Sequence, residues 1–278
     1  MNADVFFTIG STHKVCQDYG ISANLENPFV IISDGCSTAP DSDYGSRLLT
    51  SAARQHIDQA NLSDLRGFLY GTLSVANTYC RTLGLPPESL SATLLIAKPC
   101  NDGGVETFCI GDGVVAGKTS AGEIYVYEYE FPSGGPYYLR YEIDQYIRHQ
   151  YWREMGQTAI QKSYIIQPDG SLTNIKETVI QCESCEPVHF DGFFEQERFD
   201  SVAIFSDGIQ SFIQQSNTLT SKSTKPVPAY EVIRELMAFK GCQGEFVHRR
   251  CSRALKGLQA KGIMHCDDLS MGVIYLGE

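Results

Sequence analysis

Four acidic stretches place carboxylates where a divalent metal could be held. Val30-Ile31-Ile32-Ser33-Asp34-Gly35 delivers an aspartate at the end of a short apolar, β-branched run, and Gly35 forces the chain to turn there. Ser201 to Gly208 repeats the device and ends on Asp207-Gly208, while Phe108 to Gly113 carries Gly111-Asp112-Gly113 and Cys266-Asp267-Asp268 precedes a final apolar run. Strand-end acids from several strands of one domain can meet at one rim of a sheet, and carboxylate oxygens suit Mg²⁺ or Mn²⁺. Asp-Gly is also the commonest turn dipeptide, so each copy has a plainer reading as a bend. A hairpin, however, needs a matching strand two residues later, and Cys36-Ser37-Thr38-Ala39-Pro40 supplies none.

The elements that must position these acids follow from periodicity. Val5 to Ile9 reads as a strand, and Gly10 to Gly20 is polar, with His13 and Lys14 at one end and Asp18 at the other. Asp43 to Ala60 puts Leu48, Leu49, Ala52, Ala53, His56 and Ile57 on one helical face, which makes His56 a half-buried or solvated helix residue. Asp64 to Leu83 repeats that rhythm and Pro86-Pro87 closes it. Strands are expected at 92–97, 105–110 and 124–130, the first two joined by a hairpin loop at Asn101-Asp102-Gly103-Gly104. Such a meander favours antiparallel pairing over a doubly wound sheet. Phe131 to Gly192 reads as an elaboration near the site, with a short helix over Glu142 to Met155 and strands at 163–166 and 175–182. Asn217 to Pro228 is expected to be a polar loop, Ala229 to Lys240 and Glu245 to Gln259 two amphipathic helices, and Ser270 to Leu276 a closing strand.

With 278 residues, 42% hydrophobic and 20% charged, the chain suits a soluble globular protein with a sizeable core. We read residues 1–278 as a single domain with its elaboration at about 131–192. A net charge of −11 argues against nucleic acid or an anionic membrane as the main partner. A phosphate ester approaching that field would need bound cations to offset it. Ten cysteines without a repeating framework, and an N-terminus without a signal-peptide pattern, point to reduced thiols in the cytoplasm. No apolar run reaches the roughly 18 residues that span a bilayer.

Three other motifs fail on inspection. Gly111 to Thr119 nearly spells a phosphate-binding loop, but Asp112 stands where its first glycine belongs. Asp41 to Gly45 opens like a calcium loop, yet its glycine comes one place early and the closing glutamate is missing, so a helix cap accounts for it better. Cys182-Glu183-Ser184-Cys185 lacks the second cysteine pair that structural zinc expects.

The order of motifs resembles the metal-dependent type 2C (PPM-like) protein serine/threonine phosphatases. The matching positions are Gly10-Ser11 and His13, Gln17-Asp18, Asp34-Gly35, Ser91-Ala92-Thr93, Gly111-Asp112-Gly113, Ser206-Asp207-Gly208 and Asp267-Asp268, which together span almost the whole chain. The resemblance implies an α+β fold, a four-layer αββα sandwich of two central antiparallel sheets flanked by helix pairs. It implies two Mn²⁺ or Mg²⁺ ions, with a weaker third, and a phosphoprotein substrate. Asp34 would bridge both metals, the Gly35 carbonyl would bind one, and Asp207 and Asp267 would complete the other. Asp18 would hold water at the metal, Asp112 would face the third ion, and His13 stands where relatives carry a phosphate-gripping arginine.

Three departures accompany the match. Gln17 replaces a glutamate, Ser211 replaces an acid that supports the third metal, and Cys36 replaces a histidine proposed as a general acid in animal relatives. Asp34, Asp207 and Asp267 then serve as the catalytic metal ligands in hydrolysis of phosphoserine or phosphothreonine. The alternative is a catalytically weak or inactive module of the same fold that binds phosphoprotein as a regulator, motivated by Gln17 and Ser211.

Overall fold

The computed structural model describes residues 1–24, 27–57, 65–101, 103–182, 187–218 and 221–277. In chain order the elements are β1 (Asn2–Thr8), β2 (Tyr19–Ala23), β3 (Phe29–Ser33), α1 (Ser42–Ile57), α2 (Leu65–Leu83), β4 (Leu94–Cys100), β5 (Gly104–Ile110), β6 (Gly113–Thr119) and β7 (Ile124–Glu130). There follow α3 (Gln145–Met155), β8 (Thr158–Ile166), β9 (Leu172–Gln181), β10 (Phe190–Glu195), β11 (Phe199–Phe205), β12 (Phe212–Thr218), β13 (Ser221–Pro226), α4 (Ala229–Leu236), α5 (Phe246–Ala260), β14 (Ile263–His265) and β15 (Leu269–Tyr275).

Two antiparallel sheets form the centre, one in the order β10-β5-β4-β3-β2 and the other β1-β15-β11-β6-β7-β8-β9. The apolar runs that deliver the acids are continuous because both of their faces are covered. On β11, Val202 and Ile204 enter one core with Ile31, Leu95 and Ile274, whereas Ala203 and Phe205 enter another with Val232, Ile233 and Cys251 of α4 and α5. The first core also takes Leu49, Ala52 and Ala53 of α1 and Leu69 and Leu73 of α2. Helix pair, sheet, sheet and helix pair thus stack in four layers, the αββα sandwich expected from the sequence.

Several elements were illegible or misjudged in the sequence. β2 hides behind small residues, because a Cβ on Gly20 would lie 2.5 Å from Val5 Cγ2 of the opposite sheet. The stretch that nearly spells a phosphate loop is β6, paired with β7 and β11. The expected polar loop at 217–228 is instead mostly hairpin: β12 and β13 pair from Ile213↔Pro226 to Thr218↔Ser221, and β14 joins β12 in a third small sheet. Pro226 is tolerated because β13 is an edge strand and need not donate there. α4 stops at Leu236, short of the expected Lys240, and Lys118 Nζ donates to the Met237 carbonyl at 3.0 Å just beyond its end. Asp102 and Cys185 lie outside the described residues; the nine described cysteines are all unpaired. Among the described residues no helix is long and apolar enough to cross a membrane.

The segment between β7 and β8 is anchored by one buried carboxylate. Glu142 accepts from Tyr70 of α2 at 2.8 Å and from Tyr137, and pairs with Arg148 of α3 at 2.8 Å, with its side chain only 1% exposed. Tyr137 stacks on Trp152 at 5.2 Å, and Tyr141 on Tyr151 at 4.8 Å. Removing the carboxylate leaves the Arg148 guanidinium, 12% exposed, and the hydroxyl of the buried Tyr137 without their partner. Glu142→Ala should therefore cost about 3–5 kcal/mol, read as the change in urea-unfolding free energy. A loss below about 1 kcal/mol would show the hub to be as weak as a surface pair.

Candidate functional site

Acids from both sheets reach the same edge of the sandwich. Asp34 follows β3, and Asp207 follows β11 at the start of a short 3₁₀ turn, Asp207–Gln210. Asp112 occupies the turn where the chain crosses from β5 in one sheet to β6 in the other. Asp18 and Asp267 stand just before β2 and β15. A cleft of about 410 Å³ opens there, lined by His13, Asp34, Gly35, Asp112, Asp207 and Asp267 among others. Every sequence-predicted site residue except Asp18 lines it. Asp18 lies behind, 0% exposed, in hydrogen-bonding contact with Asp34 and Ser206.

The backbone around these acids is pinned by short polar side chains. Asp34 N–H donates to Thr93 Oγ1 at 3.0 Å, Thr93 N–H donates to the Asp34 carbonyl at 2.8 Å, and Cys36 N–H donates to the Ser91 carbonyl at 2.8 Å. The Ser91-Ala92-Thr93 motif is therefore a clamp on the Asp34-Gly35 turn. Ser206 Oγ donates to Asp18 Oδ2 at 2.7 Å and accepts from Ser270 N–H at 2.9 Å, tying Asp18 to β15. Gly208 is required by close approach, since a Cβ there would sit 1.7 Å from the Asp268 carbonyl oxygen.

The electrostatics are those of crowded anions. Burial, then the neighbouring charges of Asp18 and Asp207, hold the Asp34 carboxyl well above its usual range. Burial lifts Asp18 to about 7 against the stabilising hydroxyl of Ser206. Burial and the Asp207 charge lift Asp112 to about 7 as well, and they raise Asp267. Asp18 Oδ1 and Asp207 Oδ1 are buried with no hydrogen-bond partner. A divalent cation would reverse each of these costs, and an all-oxygen donor set fits Mg²⁺ or Mn²⁺. The residues present fit such ions, although among the described residues no three His, Cys, Asp or Glu side chains are grouped so as to hold one ion unaided.

Sequence reasoning missed the residues that hold the acids in place. Asp268, 1% exposed, accepts from the N–H groups of Gly10 and Gln17, both at 2.6 Å, so it ties the 10–17 loop to the approach of β15. The doubled aspartate was visible in the sequence, but its division of labour was not. His13 lies between that pair, with Nε2 3.3 Å from Asp267 and Nδ1 3.1 Å from Asp268 in an ion-pair contact without hydrogen-bond alignment. Burial alone would lower the His13 pKa, but Asp268, Asp267 and Asp18 outweigh it and raise it. Two of the departures have structural roles. Gln17 Nε2 donates to Ser42 Oγ at 2.6 Å, and Ser211 Oγ accepts from the N–H groups of Cys266 and Asp267 at 3.2 and 3.1 Å. Cys36 lines the cleft. Burial would raise its thiol, but Thr38 Oγ1 at 3.2 Å, the Tyr138 hydroxyl and the N–H groups of Thr38 and Ala39 bring it below the usual value.

Comparisons with known proteins agree with this architecture. The family model described as Protein phosphatase 2C matches residues 10–131, which include Asp18, Asp34 and Asp112. The chain thus resembles the type 2C phosphatases in sequence over that stretch, and its fold is theirs over its whole length. Serine/threonine phosphatase Stp1 from Staphylococcus aureus superposes with a TM-score of 0.53 at 14% identity, covering 99% of this chain and 95% of that one. The S. agalactiae serine/threonine phosphatase gives 0.54 at 13% identity, with 99% of each chain covered. No curated protein sequence matches the chain.

The crowding has a signed consequence for stability. Asp112 has a folded pKa of about 7 against an ordinary 3.8, so between those values the folded state binds more protons than the unfolded one and stability falls as pH rises. In chelator-treated protein, Asp112→Asn should therefore be more stable than wild type at pH 8. The gap should narrow as pH falls towards 4, and saturating Mn²⁺ should shrink it at pH 8. Thermal unfolding of both proteins across that range checks this; a gap independent of pH would contradict it.

Proposed function

We propose that the chain is a metal-dependent protein phosphatase hydrolysing phosphoserine or phosphothreonine. The observation that carries this reading is the convergence of Asp34, Asp112, Asp207 and Asp267 from two sheets on one cleft, with Asp18 buried behind them. Asp34, the Gly35 carbonyl, Asp207 and Asp267 would hold two Mn²⁺ or Mg²⁺ ions, and Asp112 a weaker third. Bound ions of this kind supply Lewis-acid stabilisation of the phosphate charge and a lowered pKa for water, without a covalent intermediate.

The chain's own residues supply orientation and proton handling. Asp18, with Oδ2 fixed by Ser206 and Oδ1 buried without a hydrogen-bond partner, would accept a proton or orient water behind Asp34. His13, whose pKa Asp268, Asp267 and Asp18 raise against burial, would meet a phosphate oxygen at the cleft wall. Asp268 and Ser211 act through the backbone: they hold the 10–17 loop and the Cys266-Asp267 peptide in register. The regulatory-module alternative rested on Gln17 and Ser211, and both residues have structural partners here.

Asp34→Asn and Asp207→Asn should each lower Mn²⁺-dependent turnover of a phosphothreonine peptide at least a hundredfold, on the scale of losing a transition-state electrostatic partner. Initial rates with Mn²⁺, Mg²⁺ and chelator measure this. Undiminished activity in both variants would sink the assignment, and metal binding with no turnover in wild type would favour the regulatory module.

A further inference from the structure

Opposite the acids, the same cleft has a wall of another character. Pro136, Tyr138, Tyr141 and Met155 line it from the segment that joins β7 to β8, and Met155 remains 39% exposed although it is a large apolar side chain. This wall is braced from behind rather than loosely hung. Glu142 fixes the segment to Tyr70 and Arg148, Tyr138 bonds Cys36 beside the Asp34 turn, and the Tyr151 hydroxyl donates to the Gly135 carbonyl at 2.9 Å. The cleft, at about 410 Å³, is in the range that holds a small ligand and has room beyond one phosphorylated side chain.

Charge decides what suits that extra room. Among the described lining residues there is no Lys or Arg, and the wall of Pro136, Tyr138, Tyr141 and Met155 carries no charged side chain, so a charged neighbour of the phosphate would lose water there without gaining a partner. Outside the cleft lining, Arg140 holds its guanidinium 5.0 Å from the Tyr141 ring centroid, and that ring is also stacked on Tyr151. An aromatic ring engaged in this way offers its edge, which suits apolar and aromatic contacts.

We propose that Pro136, Tyr138, Tyr141 and Met155 form a fixed subsite that takes an apolar side chain immediately flanking the phosphorylated residue of the substrate. This rests on the phosphatase reading and names the substrate class within it: phosphoserine or phosphothreonine next to a leucine-like or aromatic residue. Burial of one such side chain discriminates by about tenfold or more.

The test is a set of phosphothreonine peptides that differ only at the two positions beside the phosphothreonine, carrying Leu, Phe, Gly, Arg or Asp, with p-nitrophenyl phosphate measured alongside in Mn²⁺. The expected result is a kcat/KM about tenfold higher for the Leu or Phe peptide on one side than for the Gly, Arg and Asp peptides. The difference should lie in KM, and Met155→Ser and Tyr141→Ala should each shrink it. Equal values within about twofold, or a preference for Arg or Asp, would overturn the subsite. If wild type hydrolyses neither peptide nor p-nitrophenyl phosphate, the hydrolase reading fails by itself. The subsite is then decided by calorimetric affinity of the same peptides for the Mn²⁺-treated protein, where tenfold tighter binding of the Leu or Phe peptide supports it and equal affinity overturns it.

Discussion

Mutual repulsion among carboxylates forced to one edge of a sandwich is the constraint on which the rest of this molecule depends. Left to themselves, Asp18, Asp34, Asp112 and Asp267 would separate or protonate: burial above all, and then the charge of Asp207 beside them, holds their pKa values up. What prevents separation is that Asp34, Asp112, Asp207 and Asp267 adjoin strands whose side chains are buried on both faces. Val30, Ile31 and Ile32 ahead of Asp34 are 0% exposed, as are Val202 to Phe205 ahead of Asp207. Hydrophobic burial in the two cores thus supplies the free energy that keeps like charges together, a trade of stability for a site.

Between core and cleft lies a layer of hydroxyls and one buried carboxylate. Ser33, Thr93, Ser206, Ser211 and Asp268 all make their hydrogen bonds to backbone or to the acids. These bonds convert strand positions, accurate to the register of a sheet, into side-chain positions accurate enough for metal chemistry. The opposite wall is built by other means, aromatic stacking around Glu142, and it meets the acid side through the contact between Tyr138 and Cys36.

The acids and the layers were legible in the sequence because both write strong local signals. Apolar β-branched runs ending in Asp-Gly mark strand ends, and helical periodicity located α1, α2 and α5 within a few residues. What could not be read depended on partners distant in the chain. β2 looks like a polar turn until Val5 from the other sheet explains its glycine. β12 and β13 look like a loop because an edge hairpin can form through its backbone ladder alone. Ser211 looked like a lost acid, and only its contact with the Cys266 and Asp267 amides gives it a role. The second aspartate of Asp267-Asp268 was likewise indistinguishable from the first until the Gly10 and Gln17 amides were seen to converge on it.

The most direct measurement is an isothermal titration of chelator-treated protein with Mn²⁺ at pH 8, on wild type and on Asp34→Asn. The convergence of these acids predicts saturable binding of about two ions per chain by wild type, and loss of at least one of them when the Asp34 charge is removed. Absence of saturable binding, or an isotherm unchanged by Asp34→Asn, would mean that the acids are only the turns their sequences also resemble.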